Sequence, residues 1–177
     1  MKVQLPEGPT CFLSETDSLI SQSIYNTGSW EWVQGAVLQR ALRKTDVFLD
    51  IGAHLGYFSL LAAPLCKRVV AIEPQELMLD LLRQSIVANS FTNVECVAGV
   101  VGFGKWTPLF SMVGPNTGSS FVGDDGHWPV AEVEGLLLSE VLPDGADIIK
   151  TDIEGAEGRL FDSEPWLLAR PRIIFFE

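Results

Sequence analysis

Four carboxylates and two glycines carry the chemistry that is legible in this chain. Asp50 and Glu73 each end a short apolar run, Val47-Phe48-Leu49-Asp50 and Val69-Val70-Ala71-Ile72-Glu73. The carboxyl ends of strands are where open α/β sheets bind their ligands. Gly52 and Gly56 follow the first acid as Gly-x-x-x-Gly, which is not the Gly-x-Gly-x-x-Gly of a pyrophosphate cradle. Gly52 permits a tight turn, and Gly56 lets the next helix begin close against the ligand. An acid just before such a turn repels phosphate and attracts a cationic amino group. Glu73, 23 positions after Asp50, is placed to accept hydrogen bonds from both hydroxyls of a ribose.

A ligand with an ammonium, a sulfonium and a ribose suits this pattern better than NAD, so the expected cofactor is S-adenosylmethionine. A second acidic block agrees with that reading. Asp147-Ile148-Ile149-Lys150-Thr151-Asp152-Ile153-Glu154 reads as a strand bringing its last acids to the same sheet edge, with Asp152 facing the reactive end of the cofactor. Glu157 lies three residues beyond Glu154, on the same face of the following helix. These carboxylates suit three jobs: binding an ammonium, accepting a proton from a hydroxyl, or ligating magnesium. Asp152 and Glu154 are the candidate catalytic bases. A metal shared by Asp152 and Glu177 is conceivable, but no metal site is assigned. The simplest competing role for Glu154 and Glu157 is to cap the next helix, where negative charge is favoured. A lone histidine, His54, is more often structural than catalytic.

The elements that must position these groups follow from hydrophobic periodicity. Strands are expected at 47–51, 69–73, 94–101, 147–152 and 172–177, separated by helices at about 56–65 and 76–89. The second of these helices has Leu77, Leu79, Leu81, Leu82, Ile86 and Val87 on one broad face. Alternation of this kind builds a parallel sheet with crossover helices. Two helices precede the first strand: one begins after the capping run Ser14-Glu15-Thr16-Asp17 and breaks near Gly28, and the other runs from Trp30 to Leu42. Trp32, Val33, Ala36, Val37 and Leu38 give the latter a wide apolar stripe. Residues 102–129, rich in glycine and proline, read as a loop and hairpin excursion. In it Asn116 to Ser120 form a polar loop that either touches an acceptor or simply turns. Trp106, Trp128 and Trp166 are expected to anchor loops or core. The division is an N-terminal helical segment, 1–45, packed on a core of 46–177, in a single domain.

Composition closes off other classes. With 177 residues, 47% of them hydrophobic and 20% charged, the chain has enough apolar surface for one substantial core. A net charge of −11 with only 12 Lys and Arg argues against a nucleic-acid partner. Cys11, Cys66 and Cys96 lack metal-site spacing and read as reduced thiols of a cytoplasmic protein. No apolar run approaches the ~20 residues of a membrane span, and Met1 to Thr10 do not form a signal peptide.

Taken together, Asp50-Ile51-Gly52-Ala53-His54-Leu55-Gly56-Tyr57-Phe58-Ser59, Glu73-Pro74, Asn89 ahead of Asn93-Val94, and Lys150-Thr151-Asp152-Ile153-Glu154-Gly155-Ala156-Glu157 resemble the FkbM group of class I S-adenosylmethionine-dependent methyltransferases. The resemblance spans about residues 17–177. It implies a Rossmann-like three-layer α/β sandwich and methyl transfer to a hydroxyl of a small molecule, sugar or natural product. It also implies cofactor contacts from Asp50, Gly52, Ala53, His54, Gly56, Phe58, Glu73, Pro74 and Asp152. Glu31 matches the family's Gly-x-x-Glu pattern from Gly28 and closes over the cofactor, while Ala98 is small enough to accept the adenine. Two features depart from the family. His54 stands where asparagine is usual, and the sequence reaches only a fifth strand where the family continues, as either a fragment or a minimal version whose exposed apolar edge is expected to favour homodimerisation. The competing reading is a non-catalytic or truncated methyltransferase-like module acting through association. An Asn-Pro-Pro-aromatic block for adenine methylation is missing from the fourth strand.

Overall fold

The computed structural model describes residues 1–177 except Glu7, Trp106, Thr107, Asp124, Asp125 and Glu177. The expected roles of Trp106 and Glu177 therefore fall outside the described residues. Five strands form one parallel sheet: β1 (Val47–Ile51), β2 (Arg68–Glu73), β3 (Val94–Ala98), β4 (Ile148–Thr151) and β5 (Ile173–Phe176). Their spatial order is β5-β4-β1-β2-β3. The chain order reverses between β1 and β4, and at such a switch point the crossover helices diverge to leave a crevice beyond the strands' carboxyl ends.

The alternation of side chains along each strand sorts the core into two layers. Phe48, Val69, Ala71 and Ile148 pack with Leu60 and Leu61 of α3 (Tyr57–Ala62) and with Met78 and Leu82 of α4 (Glu76–Ala88). Leu49, Ile51, Val70, Ile72 and Ile149 face the opposite way. They meet Leu138 of α5 (Leu138–Val141), Leu160 of α6 (Glu157–Ser163) and Leu142. The three-layer sandwich expected from the sequence is the observed architecture. On α4 the buried face is narrower than expected, with Leu77 and Val87 in solvent.

Two helices precede β1, as expected. The carboxylate of Asp17 accepts the Leu19 and Ser21 N–H groups, which starts α1 (Ile20–Thr27), and Gly28 ends it in a left-handed turn at φ 75°. α2 (Trp32–Ala41) does not bury the stripe that its sequence suggests: Trp32, Val33 and Val37 are exposed, and only Gly35 and Leu38 are buried. The reason is the contact itself. At Gly35 a Cβ would sit 3.2 Å from Leu61, so α2 approaches α3 on its glycine side and leaves the larger residues outside. The first dozen residues add a hairpin, Lys2–Gln4 with Thr10–Phe12, that the sequence did not suggest. Asn89 and Ser85 of the α4 end hold it: Asn89 accepts the Thr10 N–H at 2.8 Å and donates to its carbonyl at 2.7 Å, and the Ser85 hydroxyl accepts the Phe12 N–H.

β3 is shorter than the 94–101 expected. At Gly99, with φ 141°, a Cβ would lie 2.6 Å from the Glu134 carbonyl oxygen, so the chain kinks there. Val100–Val101 then pairs with Gly135–Leu136 instead of continuing the main sheet. The excursion that follows folds as a three-stranded antiparallel sheet, with Leu109–Ser111 between Phe121–Val122 and Val130–Glu132. No helix among the described residues is long and apolar enough to cross a membrane.

Candidate functional site

A cavity of about 270 Å³ opens beyond the carboxyl ends of β1, β2 and β4, slightly below the usual ~300–1,000 Å³ of small-molecule sites. Seven of the residues expected at the site line it together: Glu31, Gly52, His54, Glu73, Pro74, Asp152 and Glu154. They arrive from four separate segments, which is what the sheet edge achieves for residues far apart in sequence.

Glu73 ends β2 almost completely buried. Its Oε2 accepts the His54 N–H at 2.8 Å and its Oε1 accepts the Gln75 N–H at 2.9 Å. Each oxygen keeps a second lone pair for a ligand. Burial outweighs these hydrogen bonds and pushes the carboxyl from the usual 4.5 up to about 7. A rise of that size costs roughly 3 kcal/mol when the group is ionised, a cost that ligand hydroxyls donating to the carboxylate would offset.

Gly52 brings β1 against β4. A Cβ there would lie 1.9 Å from the Asp152 carbonyl oxygen, and φ is 76°. The turn is completed by the Gly52 and Ala53 N–H groups donating to the Ile72 carbonyl at 2.9 and 3.0 Å. Three non-glycine residues of the cavity also hold the left-handed conformation: Glu31 at φ 42°, His54 at 53° and Glu154 at 51°. Each costs on the order of 1–3 kcal/mol, a cost that tends to cluster where geometry is functional. Ser90, away from the cavity, is the fourth such residue among those described.

His54 is uncharged at neutral pH and only a weak base, because burial lowers its pKa to about 4. Its Nε2 instead lies 2.7 Å from Thr117 Oγ1. Gln75 Nε2 donates to the Thr117 carbonyl at 2.9 Å, and the Ser18 N–H donates to the Pro115 carbonyl at 2.8 Å. The cofactor turns of β1 and β2 and the approach to α1 thus clamp residues 115–120 as a roof. An asparagine at position 54 would tolerate the same left-handed backbone but would be too short to span to Thr117. His54→Asn is therefore expected to leave the fold intact and speed amide exchange at 115–120 about five- to tenfold, the value of one hydrogen bond. Unchanged exchange there, measured by mass spectrometry, would contradict the clamp.

Other expected contacts go elsewhere. Asp50 is buried and absent from the cavity wall: its Oδ2 accepts the Ser59 hydroxyl at 2.6 Å, and Oδ1 has no protein partner. Burial raises its pKa, opposed chiefly by Lys150, its register partner on β4. The acid before the glycine turn thus lies within the sheet, beside Ser59 and Lys150. Lys150 Nζ also lies 3.2 Å from Asp152 Oδ2 and 5.0 Å above the Phe58 ring, so Phe58 shields this ion pair without entering the cavity. Gly56 is required by packing, since a Cβ would lie 2.2 Å from Leu82 of α4. Ala53 is buried and Ala98 exposed, both off the wall. Past β3 it is Gly99, Val100 and Val101 that line the cavity. Glu157, the first residue of α6, reaches back to the preceding turn: its Oε1 accepts the Ile153 N–H at 2.9 Å.

The wall contains residues that the motifs do not mark. Ile20, Trp30, Phe103, Phe110 and Val122 supply apolar surface, and Asn116 to Ser120 supply polar groups. The polar run from Asn116 was the one signal available for this part. Asn116 Oδ1 is buried with no protein partner, an acceptor left for a ligand. Of the other tryptophans, Trp166 donates to Glu164 Oε2 at 2.8 Å and anchors its loop, while Trp128 is partly exposed. No group of three or more His, Cys, Asp and Glu side chains among the described residues is arranged to hold a metal.

Comparisons with known proteins agree with this architecture. The profile of the family described as "Methyltransferase FkbM domain" matches residues 50–177. A probable ribosomal RNA small subunit methyltransferase A from Methanosphaera stadtmanae is 34% identical over 62 residues, which is 34% of this chain and 23% of that protein. Protein-L-isoaspartate O-methyltransferase 1 of a Polaromonas species is 40% identical over 65 residues, 37% of this chain and 27% of that protein. The matched part spans about a quarter of the length of these curated relatives. The crystal structure of precorrin-6y C5,15-methyltransferase from Geobacter metallireducens superposes with a TM-score of 0.54 at 17% identity, covering 97% of this chain and 72% of that one.

Proposed function

The chain belongs to the FkbM methyltransferase family, whose methyl donor is S-adenosylmethionine, and we propose that it methylates a hydroxyl of a small molecule in the cavity at the β1–β4 switch point. The residues present fit the cofactor: a buried carboxylate with spare lone pairs at the β2 tip, further acids nearby, and an unpartnered buried acceptor on Asn116. S-adenosylmethionine supplies a methyl group already activated by the adjacent sulfonium. Glu73 would hold the ribose hydroxyls. Asp152, whose Oδ2 is fixed by Lys150, and Glu31 would hold the ammonium.

The single observation that carries the hydroxyl reading is Glu154, a cavity carboxylate forced into a left-handed backbone at the start of the approach to α6. A hydroxyl must lose its proton as the carbon–oxygen bond forms, and in this reading Glu154 takes it. Alignment of donor and acceptor supplies much of the remaining acceleration. The two curated relatives act, by their names, on ribosomal RNA and on protein, so neither fixes the acceptor. With labelled S-adenosylmethionine, Glu154→Gln is expected to lower turnover about a hundredfold while S-adenosylhomocysteine affinity stays within about twofold. Full turnover by that variant would remove Glu154 from the reaction.

A further inference from the structure

A second cavity, of about 440 Å³, adjoins the first and shares Phe103, Val122, Glu154 and Ala156 with it. Glu154 therefore stands at the boundary between the two. Beyond that boundary the described wall changes character: Pro108, Gly123 and Gly155 leave an apolar, open surface, and Arg159 of α6 brings a positive charge. The Arg159 guanidinium lies over the Phe103 ring, with Cζ 5.3 Å from the centroid. The contact anchors the guanidinium beside the cavity, a group whose donors suit a bidentate carboxylate. The first cavity is the electrostatic opposite. It carries Glu31, Glu73, Asp152 and Glu154, and no lysine or arginine among the described residues lines it. Lys150, next but one before Asp152 in the chain, is buried against Asp152 and Phe58.

We propose that the second cavity is the acceptor chamber and that the acceptor is a hydroxylated ring bearing a carboxylate. This rests on the methyltransferase reading and adds the substrate class and its orientation. The acids of the first cavity repel the carboxylate, Arg159 holds it at the outer end, and the ring lies along Phe103 and Val122. The hydroxyl is thereby turned inward to Glu154. In the transfer step the hydroxyl oxygen forms the bond to the methyl carbon, the carbon–sulfur bond breaks with its electron pair returning to sulfur, and the proton passes to Glu154.

Three phenols of similar size and different charge test this: 4-hydroxyphenylacetate, its amide, and tyramine. Each is titrated calorimetrically into the intact chain saturated with S-adenosylhomocysteine, whose own binding is measured first and reports separately on the methyltransferase reading. The carboxylate is expected to bind about tenfold more tightly than the amide, and the amide more tightly than the amine. Arg159→Ala should bring the carboxylate to the level of the amide without changing S-adenosylhomocysteine affinity, and Arg159→Lys should restore part of the difference. Tightest binding by tyramine, equal affinities, no binding by any of the three, or an order unchanged in Arg159→Ala would each overturn the proposal.

Discussion

Glu73→Ala is expected to weaken S-adenosylhomocysteine binding about a hundredfold. Two hydrogen bonds from ribose hydroxyls to one carboxylate are each worth about 1.5 kcal/mol or more, and every 1.4 kcal/mol is tenfold in affinity. The substitution also removes the acceptor of the His54 and Gln75 N–H groups, so both cofactor turns loosen together. A wild-type pH series separates the ribose role from that structural one. The carboxyl titrates near 7, and below that the protonated form offers a donor where the diol requires acceptors. Affinity should therefore rise between about pH 6 and pH 8 and then level off. The stability of the unliganded protein runs the other way. The folded state binds this proton more tightly than the unfolded chain, so the associated stability is complete below 4.5 and is lost as pH rises through about 7. A flat affinity profile over that window would remove Glu73 from ligand recognition.

Gly52→Ala is expected to be severely damaging. The new Cβ would lie 1.9 Å from the Asp152 carbonyl oxygen, which is backbone and cannot swing away, and φ 76° is itself unfavourable for alanine. Relief requires β1 and β4 to separate at the switch point. A loss of at least about 3 kcal/mol is the expected shift in denaturant unfolding, together with loss of cofactor binding. Gly158→Ala in α6 is the matched control. It meets nothing within 4 Å and should be neutral or gain up to about 1 kcal/mol. Equal behaviour of the two variants would show that the β1–β4 approach is not what demands glycine.

The contrast between these glycines shows what could be read in advance. The five strands are legible because parallel strands buried on both faces appear as short unbroken apolar runs, and the acids that end them fall at one edge wherever the helices lie. That logic placed Glu73, Asp152 and Gly52 in one cavity. Asp50 and Gly56, whose residue types also suit a ligand, lie off that cavity's wall, beside Ser59 and Lys150 in one case and Leu82 in the other. A motif gives spacing along the chain, and only packing decides which side a carboxylate faces. The same limit hid the α2 stripe, since nothing in Trp32, Val33 and Val37 reveals that the helix docks through Gly35. The roof was the least legible part. Its contacts join residues 54 and 117, 75 and 117, and 18 and 115, separations at which no periodicity carries information. His54 is where the two kinds of information meet: it breaks the resemblance in the first motif and, in the structure, ties that motif to the roof.

The most direct measurement is a crystal structure of the intact chain soaked with S-adenosylhomocysteine at pH 8. The expected result is ligand density in the cavity beyond β1, β2 and β4, with both ribose hydroxyls on Glu73 and the sulfur toward the side of Asp152 and Glu154. Density at another site, or a ribose turned away from Glu73, would contradict the assignment of this cavity to the methyl donor.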